Sequence, residues 1–441
     1  MHACPNNDPI EGEDALVSTS QDASVRPVPG AANSAVSLRR NRNFQALWSS
    51  EALAAIAKET AEFAYPLLIL ASTGSALWAG LIAAAQVIVA GLVSLPAGQF
   101  ADRFDRKKLL LICNLTRAVL LGVLYLLIAT DNVNLLLILM IAISSSVFLS
   151  LSQPAGIAAI KALVRPEQVS TAMSQNSIRF FGATLIGPPI GGWLFAVGRA
   201  FPYLGAAVTF VVSSLLLLLI KKPLQAERTA DDDGKRHAKE GFRLIRRQPI
   251  LFWTLLWTMG SNMVFNHTGI FIAIAATGQS ESDSSALIGI AVACAGVGGL
   301  TGAFIAAPVL KKVKPSYIFF YAAWIGPVAA LLLAFVPSLW VMGLLVGLVF
   351  VRGPVMSALT LTYVSVLTPD KAQGRVLGAV FFLSLIVQPI GLFGIGALFD
   401  AGGPAVVFGT VCTVATLIAL VTLTPTMRSL PRPEQLKEIE L

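Results

Sequence analysis

The stretch Gly98-Gln-Phe-Ala-Asp-Arg-Phe-Asp-Arg-Lys-Lys108 separates two apolar runs and decides how the rest of the chain can fold. About 22 mostly apolar residues precede it and about 22 follow it, so each run can cross a bilayer as a helix. Six of the seven residues from Asp102 to Lys108 are charged, and charges enter lipid only at a high free-energy cost. We therefore predict a tight loop at the membrane surface; the alternative is an ordinary solvated turn between two helices.

Composition is typical of a polytopic membrane protein. The 441 residues are 55% hydrophobic and only 13% charged, which favours an all-α membrane fold over a soluble globule. The net charge of +8 does not indicate a nucleic-acid partner, because the basic residues lie between apolar segments and form no single patch. The four cysteines and three histidines are scattered, so we expect no disulfide framework, no metal and no cofactor. No apolar segment precedes residue 44, and we expect no cleaved signal peptide.

Hydropathy and helix-breaking residues predict twelve membrane-spanning helices, called spans 1 to 12. They lie near 44–71, 76–98, 108–130, 134–160, 171–197, 202–220, 250–276, 285–310, 316–336, 338–366, 375–399 and 404–424. The predicted segments are a disordered tail (1–40), a six-helix bundle (41–220), a linker (221–249), a second six-helix bundle (250–425) and a C-terminal tail (426–441).

The positions of lysine and arginine predict the orientation. If both termini are cytosolic, 28 of the 32 lysines and arginines fall on the cytosolic side. Such a bias favours this orientation over its inverse. We therefore predict a multi-pass protein of the inner (cytoplasmic) membrane with cytosolic N- and C-termini.

The two halves carry matching short features at a nearly constant offset. The matched pairs lie 201 to 204 residues apart: Thr73-Gly74 with Thr277-Gly278, Gly98 with Gly302, Arg165-Pro166-Glu167 with Thr368-Pro369-Asp370, and Phe180-Phe181 with Phe381-Phe382. This pattern indicates a duplicated six-helix unit. The second copy lacks the acidic residues of the charged loop, so the halves are not equivalent.

The charged loop resembles a known family motif. Its pattern, Gly-x-x-x-Asp-Arg-x-x-Arg-Lys-Lys, is similar to the loop between helices 2 and 3 of the major facilitator superfamily of transporters. The form with Asp105 in place of the usual second glycine resembles the branch that contains the enterobactin exporter and the macrolide efflux pumps. The resemblance implies the major facilitator fold, with twelve helices in two six-helix repeats. It also implies a gating loop, whose residues are Gly98, Asp102, Arg103, Asp105, Arg106 and Lys107.

In that family the loop latches the cytosolic face shut. Carried over to this chain, the resemblance implies that Asp102 meets the positive N-terminus of span 11 near Arg375. Arg106 would pair with Asp102 at i, i+4. Such contacts would form in one conformation and break in the other.

Span 1 carries four ionisable residues inside an apolar segment: Glu51, Lys58, Glu59 and Glu62. Glu51, Lys58 and Glu62 fall within about 40° of one another around a helix, and Lys58 and Glu62 form an i, i+4 pair. Charges at this depth must face water or one another. We predict that Glu59 or Glu62 carries a coupling proton or that the group binds substrate; the alternative is a structural ion pair with a neighbouring helix.

Span 7 is the repeat partner of span 1 and carries a polar stripe. Thr258, Asn262 and Asn266 recur every four residues. Neutral amides that face the ionisable side chains of span 1 suit a cavity for a polar solute. His267 would titrate near neutrality and is a candidate proton relay, although a lone intramembrane histidine is more often a packing residue.

Two arginines lie within spans. Arg117 is in span 3, and Arg352 is in span 10 just before Gly353-Pro354, where the helix must distort. Each is a candidate counter-ion for the span 1 carboxylates or a clamp for an anionic substrate. For Arg117 we favour the alternative of a snorkelling residue or a tether between helices, and for Arg352 a role in the cavity.

Span 5 carries Gly187-Pro188-Pro-Ile-Gly191-Gly192, which resembles the Gly-Pro-x-x-Gly-Gly motif of the exporters. Ala183 stands where a further glycine is usual. In the family the motif marks antiporters, and small residues let helices approach closely. The alternative is that glycine and proline are simply common in membrane helices.

These features predict a secondary transporter that exports a small amphipathic organic compound, drug-like or a siderophore, in exchange for protons. The expected partners are the solute, protons and the lipid bilayer, with no nucleic acid, and we expect a monomer. The alternatives are an importer or an uncoupled facilitator of the same fold, a membrane enzyme, and a non-transporting receptor. No GxxxxGK[ST] loop supports a primary pump, and no HExxH-type pattern supports an enzyme.

Overall fold

The structure, a computed structural model, describes residues 38–132, 134–225, 242–265, 285–335, 338–368 and 370–432. All regular secondary structure in these ranges is helical, as predicted. The predicted N-terminal tail up to residue 37, most of the linker (226–241) and the end of the C-terminal tail from residue 433 lie outside the described residues. So do residues 266–284, and with them Asn266 and His267 of span 7.

The long helices follow the predicted spans. Their bounds are α1 Arg42–Thr73, α2 Ala76–Arg103, α3 Arg106–Ala129, α4 Leu135–Leu163, α5 Val169–Val197, α6 Phe201–Leu218, α7 Pro249–Val264, α8 Ser285–Lys312, α9 Pro315–Phe335, α10 Leu339–Leu367, α11 Asp370–Ile386 and α12 Gln388–Ala419. Short helical turns cover Leu38–Arg40, Pro166–Gln168, 242–247, Leu420–Leu423 and Pro425–Arg428. Helices α1 to α10 correspond to spans 1 to 10.

The charged stretch is mostly helical, which corrects the prediction of a loop from Gly98 to Lys108. Helix α2 continues through Arg103, and only Phe104 and Asp105 separate it from α3. The charges end the apolar run but not the helix, because a helix can extend beyond the hydrocarbon core. The Asp105 carboxylate accepts a hydrogen bond from the Lys108 N–H at 3.1 Å and caps α3, which gives the acidic residue a local role at this position.

Gly403 divides α12 between the last two predicted spans. Its φ of 71° and ψ of −166° are not helical, and positive φ favours glycine. A second break, at Val387, precedes Pro389, which has no N–H to continue the helical hydrogen bonds of α11. Span 11 therefore consists of α11 and the first part of α12, and span 12 is the second part of α12.

Nine helical segments in the described ranges are long and apolar enough to cross a membrane. The longest, Gly378–Leu423, has 46 residues and contains the kink at Gly403. Helix α1 has 32 residues but carries the four ionisable side chains of span 1. The protein is therefore an all-α, polytopic membrane protein, as predicted.

Buried apolar side chains are arranged differently at the two ends of the bundle. We call the end where Gly74 and Ser75 join α1 to α2 the Ser75 end, and the opposite end, at Phe104 and Asp105, the charged-loop end. One hydrophobic cluster at the Ser75 end combines both halves, with Ala79 of α2 and Leu392 of α12 among its members. At the charged-loop end the described residues form two clusters, one in the first half and one in the second. Among the described residues, the halves therefore share a buried core at the Ser75 end only.

Two helix pairs, α2 with α12 and α5 with α8, form the main contacts between the halves. Near the Ser75 end a Cβ on Gly80 would overlap the carbonyl oxygen of Leu392, and one on Gly396 would overlap that of Ala76. Farther along α2, a Cβ on Gly91 would meet nothing within 4 Å. The absence of side chains at the first two glycines thus lets the backbones of α2 and α12 touch where the halves share a core.

We predict that Gly80→Ala lowers the free energy of unfolding by about 1–3 kcal/mol, because the added methyl group forces α2 away from Leu392. Unfolding by titrated SDS in mixed micelles measures the change. Gly91→Ala is the matched control, since it makes the same substitution in the same helix where the space is open. Equal stability of the two variants would contradict the close packing at the Ser75 end.

Candidate functional site

Helix α1 is fixed at both of its ends. The Asn41 side chain caps its N-terminus by accepting from the Phe44 N–H at 3.1 Å. At the other end Gly74, with φ of 68°, donates its N–H to the Leu70 carbonyl at 2.8 Å. The ionisable residues of α1 are therefore carried on a well-defined helix.

Lys58 lies between two carboxylates of α1. Its Nζ is 2.9 Å from Glu59 Oε1 and 2.9 Å from Glu62 Oε2. The exposed fractions of the side chains are 4% for Glu59, 18% for Lys58 and 30% for Glu62. Sequence spacing predicts the pair of Lys58 with Glu62, whereas the structure adds Glu59 as a second partner. The cluster carries one net negative charge when both carboxylates are ionised, and Glu62 is its most accessible member.

Glu51 makes a separate ion pair between α1 and α5. Its Oε2 lies 2.8 Å from Nη1 of Arg179, whose Nη2 donates to Asn176 Oδ1 at 2.7 Å. Sequence reasoning counted Arg179 among the cytosolic charges at the start of span 5, but the residue lies well inside α5. A basic residue several turns into a predicted span was the signal that could have revealed it.

The glycine-rich motif of α5 packs between α1 and α8. The Thr60 hydroxyl donates to the Gly187 carbonyl at 3.3 Å, and a Cβ on Gly187 would overlap that of Glu59. A Cβ on Gly191 would lie 3.0 Å from the Thr60 carbonyl oxygen, and one on Gly192 would overlap the Ser285 carbonyl oxygen of α8. The motif residues therefore bring α5 into backbone contact with the charged helix on one side and with the second half on the other.

Pro188 takes part in the same contact. A Cβ on Gly289 of α8 would lie 2.7 Å from the Pro188 carbonyl oxygen. The close approach predicted from the motif is thus present, while its antiporter role stays a prediction.

Arg117 is buried among α3, α4 and α6. Its Nε donates to Ser145 Oγ at 3.3 Å, and its guanidinium carbon lies 4.3 Å from the centre of the Phe210 ring. The ion pairs of the described residues do not include it. These contacts link α3 to α4 and α6, and the role of Arg117 as a tether stays a prediction.

Arg352 is buried within the second half. It donates from Nη1 to the Ala322 carbonyl at 3.0 Å and from Nη2 to Ser261 Oγ at 2.8 Å. The Phe265 and Trp257 rings lie 4.6 and 5.4 Å from its guanidinium carbon. Its described partners lie in α7, at Phe265 directly after α7, and in α9, so the described part of the structure does not bring Arg352 together with the carboxylates of α1.

The gating-loop residues contact the segment that follows α6. Arg106 donates to the carbonyls of Ala101 (3.3 Å) and Leu224 (3.2 Å), and Lys107 Nζ donates to that of Ile220 at 2.7 Å. Arg103 is exposed, and the side chains of Asp102 and Arg375 lie outside the described part of the structure. The predicted contact of Asp102 with span 11 therefore stays a prediction.

On α7, Asn262 is half-buried, one turn from Thr258, whose hydroxyl donates to the Thr254 carbonyl.

A polytopic helical bundle with ion pairs inside its spans, joined as two halves at one end, has the architecture of a membrane transporter. The Major Facilitator Superfamily profile matches residues 47–392. The chain belongs to the major facilitator superfamily.

Two relatives illustrate the similarity in sequence. The MFS-type transporter YfiS of Bacillus subtilis is 26% identical over 361 residues, which cover 77% of this chain and 82% of that protein. The enterobactin exporter EntS of Shigella flexneri is 27% identical over 344 residues, which cover 77% of this chain and 81% of that protein.

Solved structures match the fold at low sequence identity. A bacterial homologue of the iron transporter ferroportin, in an inward-facing state, has a TM-score of 0.67 and 15% identity, covering 89% of this chain and 100% of that one. The nucleoside transporter NupG has a TM-score of 0.67 and 13% identity, and the match also covers 89% of this chain and 100% of that one. The protein therefore has the major facilitator fold.

We predict that Glu51 and Arg179 stabilise the protein together. Either Glu51→Gln or Arg179→Gln leaves one charge without its partner, so the double variant should lose less stability than the sum of the two, by roughly 1–2 kcal/mol. SDS titration of the wild type, the two single variants and the double variant gives the free energies for this double-mutant cycle. A parallel cycle of Glu51→Gln with Lys108→Gln, at an exposed residue of α3, should be additive. Additivity in both cycles would mean that the ion pair contributes nothing.

Proposed function

We propose that this protein is a secondary transporter that exports a small amphipathic organic compound, drug-like or a siderophore, across the cytoplasmic membrane by proton antiport. The observation that carries the proposal is the cluster of Lys58 with Glu59 and Glu62 inside α1. A cluster of charges inside an apolar span is costly, so its retention favours a role in handling protons or substrate.

Glu62 is the proposed proton carrier. Glu59 is 4% exposed and packs against α5 at Gly187, whereas Glu62 is 30% exposed. A proton on Glu62 removes one of the two negative charges around Lys58 and leaves the pair of Lys58 with Glu59. The protonated cluster is then neutral, which lowers the cost of enclosing it in apolar surroundings when the halves rearrange.

Exchange follows if solute and proton compete for this cluster. Binding of the solute beside α1 would favour loss of the proton, and binding of the proton would favour loss of the solute. The span interiors are otherwise mainly apolar, which suits a solute with a large apolar part and few polar groups. Asn262 of α7, and Asn266 and His267 outside the described residues, are the proposed polar contacts from the second half.

The direction of transport is supported by topology and by the relatives. The bias of lysine and arginine favours a cytosolic position for the charged-loop end and for both termini. The separate cores at that end then suit entry of the solute from the cytosol. Similarity to EntS, a protein named as an enterobactin exporter, supports export and a siderophore-like solute. We propose that the protein acts as a monomer.

Uptake into inverted membrane vesicles with an acidic lumen tests the proposal. The probes are a catecholate siderophore and a macrolide, chosen from the two exporter types that the loop motif resembles. The wild type should accumulate at least one probe when the lumen is acidified. Glu62→Gln should abolish this accumulation but still exchange labelled for unlabelled probe at a raised probe concentration, because the glutamine mimics the protonated state, which binds the solute more weakly.

Glu59→Gln is the matched control, since it removes the other carboxylate of the same lysine. It should keep the accumulation driven by the pH gradient. If Glu62→Gln also kept it, the coupling site would lie elsewhere, and His267 would be the next candidate. Wild-type uptake of a probe that is indifferent to the gradient would favour the uncoupled facilitator.

A further inference from the structure

The N-terminus of α2 is capped by a carboxylate from the other half of the protein. Asp400 accepts from the Ala76 N–H at Oδ1 (2.8 Å) and from the Leu77 N–H at Oδ2 (3.1 Å). The Ser75 hydroxyl also donates to Oδ2. Ser75 is the N-cap residue of α2, but its side chain makes no cap hydrogen bond to the helix. Asp400 therefore takes over the capping role that the local residue would normally have.

This contact has two sources of stability. The first N–H groups of a helix have no partner within the helix, and Asp400 supplies one for two of them. A negative charge is also favoured at the positive end of the helix dipole. Hydrogen bonds to an ionised acceptor are stronger than those between neutral groups.

The position of Asp400 makes the cap a bond between the halves. Asp400 lies in α12 one turn after Gly396, whose missing side chain lets the α12 backbone meet Ala76. The glycine thus sets the distance, and the carboxylate falls on the start of α2. The cap lies at the Ser75 end, where the hydrophobic cluster joins the two halves.

We propose that Asp400 is a positioning residue that holds the Ser75 end closed, and that its bonds to Ser75, Ala76 and Leu77 break when this end opens. The predicted contact of Asp102 joins the same two spans, 2 and 11, at the opposite end. In each contact a carboxylate near the C-terminus of one span meets the N-terminus of the other. The two contacts then belong to opposite conformations, and the loss of one biases the protein toward the other.

The inference rests on the proposed transport function, since it requires two conformations, but not on the direction of transport or on the coupling ion. Its test therefore uses no solute and no proton gradient. If the Asp400 test fails while uptake into vesicles succeeds, transport stands and this latch does not. If uptake fails while the Asp400 test succeeds, the latch stands and the proposed proton-coupled export does not.

The experiment measures how often the Ser75 end opens. Ala84 is buried in the shared cluster on α2, one turn after Gly80 and therefore on the face that contacts α12, so the cysteine of Ala84→Cys reacts with a maleimide only after opening. Native Cys113, buried in α3 within the first half, is the internal reference for unfolding. Cys4, Cys294 and Cys412 are replaced by serine. The ratio of the two labelling rates separates opening at the Ser75 end from a general loss of stability.

We expect Asp400→Ala to raise the labelling rate of the Ala84→Cys reporter about tenfold, which corresponds to about 1.4 kcal/mol, with the rate at Cys113 unchanged. Asp400→Asn keeps an acceptor oxygen but loses the charge and should give a smaller rise, and so should Ser75→Ala. Asp131→Asn is the matched control. It makes the same charge change at an exposed residue between α3 and α4 at the same end, and should leave both rates unchanged.

An unchanged reporter rate in Asp400→Ala would overturn the proposal. A parallel rise at the reporter and at Cys113 would overturn it too, because it would make Asp400 an ordinary stabilising cap. If Asp400→Ala does not fold, Asp400→Asn and Ser75→Ala decide the matter by the same ratio of rates.

Discussion

The site depends on one interaction, the ion pairs that Lys58 of α1 forms with both Glu59 and Glu62. Lys58 is within 2.9 Å of two carboxylates in a span where unpaired charges would be costly. Because Glu59 is buried against the glycine of α5 and Glu62 is partly exposed, the two carboxylates are not equivalent. The glycine-rich motif therefore matters to the site as well as to packing, since a side chain at Gly187 would push α5 away from Glu59.

The arrangement of the three hydrophobic clusters determines at which end the two halves can move apart. A hydrophobic cluster that includes both halves closes the Ser75 end, and separate clusters at the charged-loop end leave each half with its own core. The halves can therefore rearrange at the charged-loop end without either one losing its core. Opening of the Ser75 end would instead separate Gly80 and Gly396 from the backbones that they touch and break the Asp400 cap.

Much of the fold could be predicted because bilayer thickness fixes the length of each span, and the kink at Gly403 lies where two spans were separated. The pair of Lys58 and Glu62 follows from helical spacing. The contact between Glu51 and Arg179 could not be predicted, because spacing within one helix does not reveal the rotation of its neighbour. For the same reason, sequence alone did not assign Arg352 to the interior of the second half. The Asp400 cap joins residues more than 300 positions apart, and no local pattern reveals it.

The most direct test of this account is the accessibility of the α1 cluster from each side of the membrane. Glu62→Cys and Glu59→Cys, each without the native cysteines, are treated with a charged, membrane-impermeant methanethiosulfonate on either face of oriented vesicles. The account predicts that Glu62→Cys reacts much faster from the charged-loop side than from the Ser75 side, and that Glu59→Cys stays protected from both. Equal reaction of Glu62→Cys from both sides, or faster reaction of Glu59→Cys, would contradict it.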